Sequence, residues 1–184
     1  MREHWNPARV SVWKVRRMST TEPAPSDRTS SKQDYGTPPE FLRAVEARFG
    51  PINFDLAATE KNAVAPWFYS PEADSLKQDW RLPGMPGIAF LNPPFADIQP
   101  WAAKLEAECR WLARWTVMLV PASMGSVWWA DHVLNKCQAD GITRMKFVGA
   151  NDMFPKDLAC LAYGFGVTGT GFWPWKRWMK ERTK

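Results

Sequence analysis

Asn92-Pro93-Pro94-Phe95 follows directly on the apolar run Gly87-Ile88-Ala89-Phe90-Leu91, so a buried strand stops at a rigid shelf. Each proline holds φ at about −65° and has no N–H to donate, which leaves the carbonyls around it free. The shelf presents the side-chain oxygen of Asn92, the backbone carbonyl of Pro93 and the flat ring of Phe95. Two acceptors and a stacking face suit a planar group that carries an exocyclic NH₂. The amino group of a nucleobase has that shape. Its lone pair is conjugated into the ring, and two well-placed acceptors help turn it out of plane and make it nucleophilic.

A second reactive position is Asp55, at the end of the short run Ile52-Asn53-Phe54-Asp55-Leu56 and just ahead of the small pair Ala57-Ala58. Small residues beside a carboxylate let a ligand approach the backbone closely, and the carboxylate can receive a cation. Upstream, Thr37-Pro38-Pro39-Glu40 has the make-up of a helix start.

The elements that must position these groups alternate along the chain. Phe41, Leu42, Val45 and Phe49 recur at helical spacing, and Gly50-Pro51 ends that helix. Strands are expected over 52–56, 67–69, 87–91 and 115–120, the last closed by Pro121. Further strands are expected over 142–148 and 158–167. A helix is expected from about 98 to 113, with Pro100 in its first turn and Trp101, Leu105, Cys109 and Leu112 on one face. Another is expected over 127–137. Alternating strands and helices, with the residues of interest at strand C-termini, argue for an α/β protein with an open sheet.

Four signatures occur in one order: Tyr35-Gly36-Thr37-Pro38, then Phe54-Asp55-Leu56-Ala57-Ala58, then Asp79-Trp80, then Asn92-Pro93-Pro94-Phe95 with Trp101 following. Over roughly residues 34–172 the chain resembles the small phage and prophage DNA N-6-adenine methyltransferases of the Dam-like family. The resemblance implies a Rossmann-like S-adenosylmethionine-dependent methyltransferase fold with an open, mostly parallel sheet. It implies a catalytic shelf of Asn92, Pro93, Pro94 and Phe95. It also implies S-adenosylmethionine as cofactor, held by Tyr35, Thr37, Pro38, Asp55, Ala57, Ala58 and Asp79. Asp79 is the acid expected to accept from the cofactor's adenine amine, with Trp80 over the ring, and Glu72 and Asp74 both stand as candidates for the ribose hydroxyls. Two departures stand out. The cofactor segment has no Gly-x-Gly, and the segment 149–157 lacks the arginine of the family's Gly-Arg-Ile-x-Phe-like stretch, which leaves Lys156 as its basic residue.

Composition bounds the reading. The 184 residues suit one folded domain with a substantial core. Cys109, Cys137 and Cys160 are scattered and odd in number, with only His4 and His132 beside them, so neither a zinc site nor a disulfide framework is expected. No apolar stretch reaches the ~20 residues of a membrane span, and the N-terminus lacks a signal peptide's apolar block. A cytoplasmic, monomeric protein acting on DNA near a bacterial nucleoid is expected, with no membrane or metal partner.

The net charge of +5 is uneven. Residues 1–33 carry seven Lys/Arg against three acids and residues 169–184 five against one, while the stretch between carries twelve against fifteen. Residues 1–33 are expected to form a basic, disordered extension, polar and rich in Ser, Thr and Pro over 19–31, with Met18 a possible internal start. Residues 173–184 are expected to form a basic aromatic tail. Its tryptophans could stack bases, although docking of the rings onto the sheet is the favoured reading.

Three functions fit. The first is adenine-N6 methylation of DNA with base flipping, with cytosine amino methylation as a close variant and a restriction-modification setting among its contexts. The second is an inactive DNA-binding protein on a methyltransferase scaffold. The third is methylation of an RNA amine or a protein amide, against which the short chain counts. A serine-hydrolase site is excluded, because Ala122-Ser123-Met124-Gly125-Ser126 lacks the first glycine of a nucleophile elbow. Only 36 residues separate Asp55 from Asn92, so target recognition must come from short loops, over 70–86, 122–130 and 150–157, or from the tails.

Overall fold

Alternation of buried side chains on both faces of the central strands dictates the layers. In β3 (Ile88–Leu91), Ala89 and Leu91 face one core while Ile88 and Phe90 face the other. In β4 (Thr116–Pro121), Met118 and Val120 oppose Val117 and Leu119 in the same way. A strand buried on both faces reads as a continuous apolar run and needs helices on either side. The computed structural model describes residues 35–182. The remaining elements are α1 (Pro39–Phe49), β1 (Ile52–Asp55), β2 (Trp67–Phe68), α2 (Gln99–Cys109), α3 (Val127–His132), β5 (Gln138–Ile142), β6 (Leu158–Tyr163), β7 (Gly169–Trp173) and α4 (Trp175–Arg182).

Among the described residues seven strands form one sheet in the order β2-β1-β3-β4-β6-β5-β7. β2, β1, β3 and β4 are mutually parallel, β6 runs antiparallel to β4 and β5, and β7 is parallel to β5. One reversed strand in an otherwise parallel open sheet is the Rossmann-like methyltransferase architecture that the motif order implies. α2 and α3 pack together on one face, and α1 and α4 cover the other.

The strands expected over 52–56, 67–69, 87–91 and 115–120 form with small changes at their ends. One strand is displaced. The sequence pattern points to pairing over 142–148, whereas β5 ends at Ile142. Its partners explain the shift: Asp140, buried at 4% exposure, sits opposite Cys160 in the ladder and forms an ion pair with Arg48 at 2.7 Å. A buried acid looks unlike a strand residue until its partner, on a distant helix, is in place. Residues 144–148 keep a period-two burial, Met145 and Phe147 inward, but lie outside the sheet. The helix expected over 127–137 stops at His132, and Asn135 takes a positive φ of 59°. β6 stops at Tyr163 because Gly164, Phe165 and Gly166 all take positive φ and turn the chain.

β7 carries no strand signal in the sequence, since Gly-Thr-Gly-Phe-Trp has poor strand composition. The aromatic residues that follow do dock. Trp173 and Trp175 are buried, and both ring systems contact Phe41 of α1, at 5.9 and 5.4 Å between centroids. The extension over 1–33 lies outside the described residues.

Gly87 fixes the start of β3 and so the height of the shelf. Its φ is +71°, and a Cβ there would lie 2.3 Å from the Pro51 carbonyl oxygen and 2.7 Å from Nδ2 of Asn53. Backbone cannot yield to that. Gly87→Ala is expected to destabilise the fold by about 2 kcal/mol or more, measured as a shift in the urea midpoint with an unchanged m-value.

Candidate active site

β1 and β3 are neighbours in parallel register, with Asp55 opposite Phe90. Their C-terminal ends therefore bring Asp55 and Asn92 to the same edge of the sheet. There a cleft of about 230 Å³ opens, lined by Tyr35, Thr37, Asp55, Ala57, Ala58, Asn92 and Pro94 from the motifs. The position is the one an open α/β sheet leaves free for ligands.

Asp55 is almost fully buried, at 3% exposure. The chain after β1 wraps around its carboxylate: the Ala57 N–H donates to Oδ1 at 3.1 Å and the Val64 N–H to Oδ2 at 3.2 Å. Burial dominates and pushes its pKa up to about 6, against the opposing pull of those two hydrogen bonds. No described cation forms an ion pair with it. The loop that supplies Val64 is closed by Asn62, whose Oδ1 accepts from the N–H and the hydroxyl of Thr59 at 2.7 and 3.0 Å.

The opposite wall comes from residues 69–75. Asp74 takes a left-handed conformation, φ 49°, between two short 3₁₀ turns, and lines the cleft. Glu72 does not line it. Ser75 is buried, and its hydroxyl donates to the Leu56 carbonyl. Trp80 is fully buried beneath this wall; its indole N–H donates to the Ser75 carbonyl at 2.9 Å. Trp80 stacks on Trp101 at 5.9 Å, and Trp101 reaches the cleft. Trp80 thus supports the wall instead of covering a ligand. Trp101 both packs on the core and forms part of the lining.

The shelf faces two ways. Asn92 and Pro94 look into the cleft, whereas Pro93 is buried and Phe95 lies outside the cleft lining. Phe95 meets Phe154 at 5.4 Å and Phe147 at 6.0 Å, both edge-to-face, and those two rings meet each other at 5.7 Å. Asn92 therefore stands between a cleft containing a buried carboxylate and a cluster of three aromatic rings. Pro38 precedes α1 and stays outside the lining, its carbonyl accepting from Phe41 and Leu42 N–H groups.

Asp79 is not brought to the cleft. It is half exposed, and both oxygens accept from Arg81, at 2.9 Å from Nε and 2.8 Å from Nη2. Those bonds hold its carboxyl below the usual range. Thr59, Asn62, Val64, Tyr69 and Ser70 also line the cleft and carry no motif.

This fold, with a buried acid ending β1 and Asn-Pro-Pro-Phe ending β3, is of the Rossmann-like methyltransferase type. The family model for DNA N-6-adenine-methyltransferase (Dam) matches residues 26–158, and the chain belongs to that family. It is similar to the DNA N-6-adenine-methyltransferase of Escherichia phage T1, 31% identical over 104 residues, which is 56% of this chain and 42% of that relative. The match thus spans less than half of the relative's length. No solved structure matches the chain. Among the described residues no helix is long and apolar enough to cross a membrane, and no cluster of His, Cys, Asp and Glu could hold a metal.

The raised pKa of Asp55 has a consequence for stability. A folded-state value of about 6 against 3.8 for the free group means that the folded chain holds the proton longer than the unfolded one. Stability contributed by the neutral acid is full below about pH 4 and is lost as pH rises to about 6. The loss is up to about 3 kcal/mol, and is level above that. Urea midpoints between pH 4 and 7 are expected to show this fall in the ligand-free protein, and Asp55→Asn to flatten it.

Proposed function

We propose that the chain transfers a methyl group from S-adenosylmethionine to the exocyclic N6 amine of adenine in DNA. The observation that carries this reading is the shared position of Asp55 and Asn92 on one cleft, with the Phe95 cluster on the far side of the shelf. The family to which the chain belongs agrees with it.

The cleft suits the cofactor. A buried carboxylate without a cation partner among the described residues is matched by a ligand ammonium, and Ala57 and Ala58 leave room for close approach. Thr37 and Tyr35 close the side next to α1. Asp74, which lines the cleft and pairs through Oδ2 with Lys77 at 2.7 Å, is the acid that would receive the ribose hydroxyls. Pro38 sets the start of α1 and with it the position of Thr37. Asp79 acts on this cleft only if its pair with Arg81 opens.

Bound S-adenosylmethionine supplies an electrophilic sulfonium methyl. The chain's own residues then orient the nucleophile. The Asn92 side-chain oxygen and the Pro93 carbonyl accept hydrogen bonds from the two amine N–H groups, turn the lone pair out of the ring plane and stabilise the positive charge that grows on nitrogen as the sulfur–methyl bond breaks; the methylated amine then loses one proton to solvent. Phe95 stacks on the base, with Phe147 and Phe154 fixing the tilt of its ring. A base within a duplex cannot reach this shelf, so the target is flipped out, at a cost of a few kcal/mol that stacking offsets in part. Such an enzyme works where DNA is unenclosed, in the cytoplasm of a host cell.

Tritiated-methyl transfer to unmethylated DNA, with nucleoside analysis of the product, tests the reading. Label is expected in N6-methyladenine. Asn92→Ala is expected to lower kcat on the order of 10²–10³-fold, the effect typical of removing one transition-state hydrogen bond, while cofactor binding is kept. Label in methylcytosine would move the target to the other amino base. No transfer and no cofactor binding would overturn the reading.

A further inference from the structure

We infer that the segment from Arg144 to Lys156 is the surface that grips the duplex, with Arg144, Lys146 and Lys156 taking backbone phosphates beside the flipped base; this rests on the reading of the protein as a DNA methyltransferase. β5 is parallel to the strands that carry Asp55 and Asn92, so the chain leaves it on the same edge of the sheet as the cleft. From there burial alternates: Met145 and Phe147 point into the core while Arg144, Lys146 and Val148 are exposed. Two residues of extended chain span ~7 Å, so both cations project side by side from one rim. Lys156 is exposed on the returning limb of the same loop.

The rim is held firmly and close to the shelf. The Val148 N–H donates to the Gly36 carbonyl at 2.9 Å, between Tyr35 and Thr37 of the cleft lining. The Ala150 N–H donates to Phe147 at 3.1 Å and the Phe154 N–H to Met145 at 3.0 Å. Phe147 and Phe154 in turn contact Phe95. The backbone that carries the cations is fixed this way, so phosphate binding has only their side chains to order.

Their charge is also uncommitted. Several bases elsewhere are neutralised by acids: Arg48 with Asp140, Lys104 with Glu108, Arg81 with Asp79, and Arg110 and Lys136 with Glu106. The rim carries one acid between its cations, the exposed Asp152, which forms no ion pair with a described residue. On the rim, Lys146 and Lys156 form no ion pair with a described residue, and Arg144 has only a 3.7 Å contact to an Asp157 carboxylate that is 85% exposed. Such a partner is given up to a phosphate easily.

The test is the salt dependence of binding to an unmethylated duplex by the full chain and by Arg144→Ala/Lys146→Ala/Lys156→Ala. Lys176→Ala/Arg177→Ala, on α4, is the comparison. Each phosphate contact contributes about 0.9 to the slope of log K against log salt. The rim variant is expected to flatten the slope by about 3 and to weaken all sequences alike. Its KM for DNA rises, while kcat at saturating DNA and cofactor affinity hold, which also shows that it is folded. The α4 variant keeps the parent slope. An unchanged slope in the rim variant, or equal flattening by the α4 variant, overturns the inference while methyl transfer by the parent chain stands. Absence of both duplex binding and methyl transfer in the parent chain overturns the underlying reading as well.

Discussion

The carboxylate of Asp55 is the constraint around which the ligand side of the molecule is arranged. It ends the strand β1, is removed from water, and receives only two backbone N–H groups for its charge. Burial outweighs those bonds and leaves the acid easier to protonate than in water. The chain bears this cost at a point where the wall of the cleft bends round to serve it. A cation placed in the cleft would reverse the balance, since an opposite charge at hydrogen-bonding distance favours the ionised form. The cost is thus located where binding energy can offset it.

The second constraint is the pleat of β3. Its four residues are buried on both faces, so the strand has no freedom to slide or rotate, and the prolines that follow extend this rigidity to the shelf. Asn92 and Phe95 then diverge, one toward the cleft and the other toward Phe147 and Phe154. The cleft and the aromatic cluster meet at a single residue whose position the sheet fixes. In-line transfer between groups bound on the two sides needs that kind of fixed meeting point.

Much of this was legible in the residues because the features involved are local. Apolar runs marked β1, β3 and β4, and the Asn-Pro-Pro-Phe and Asp-Leu-Ala-Ala segments fall at their ends. What escaped depended on partners far away in sequence. β5 contains an acid that makes sense only beside Arg48, and β7 is Gly-rich and held by its neighbour and by Trp173. The period-two burial of residues 144–148 belongs to a rim, not a strand. Asn62, Ser70 and Ser75 reach the cleft because of the path of loops, which carries no periodic signal. Trp80 and Trp101 are alike in sequence terms, yet one lies beneath the wall and the other on it. Asp79 is drawn away by Arg81, two residues on.

Proton release on cofactor binding tests the central claim most directly. Titration of S-adenosylmethionine at pH 5, in buffers of differing ionisation enthalpy, counts protons exchanged with the solvent. At that pH the ligand's ammonium is already protonated, so any proton released comes from the protein. The account predicts release of nearly one proton at pH 5 by the parent chain, and none by Asp55→Asn. Binding without proton release at pH 5, or equal release from both proteins, would contradict it.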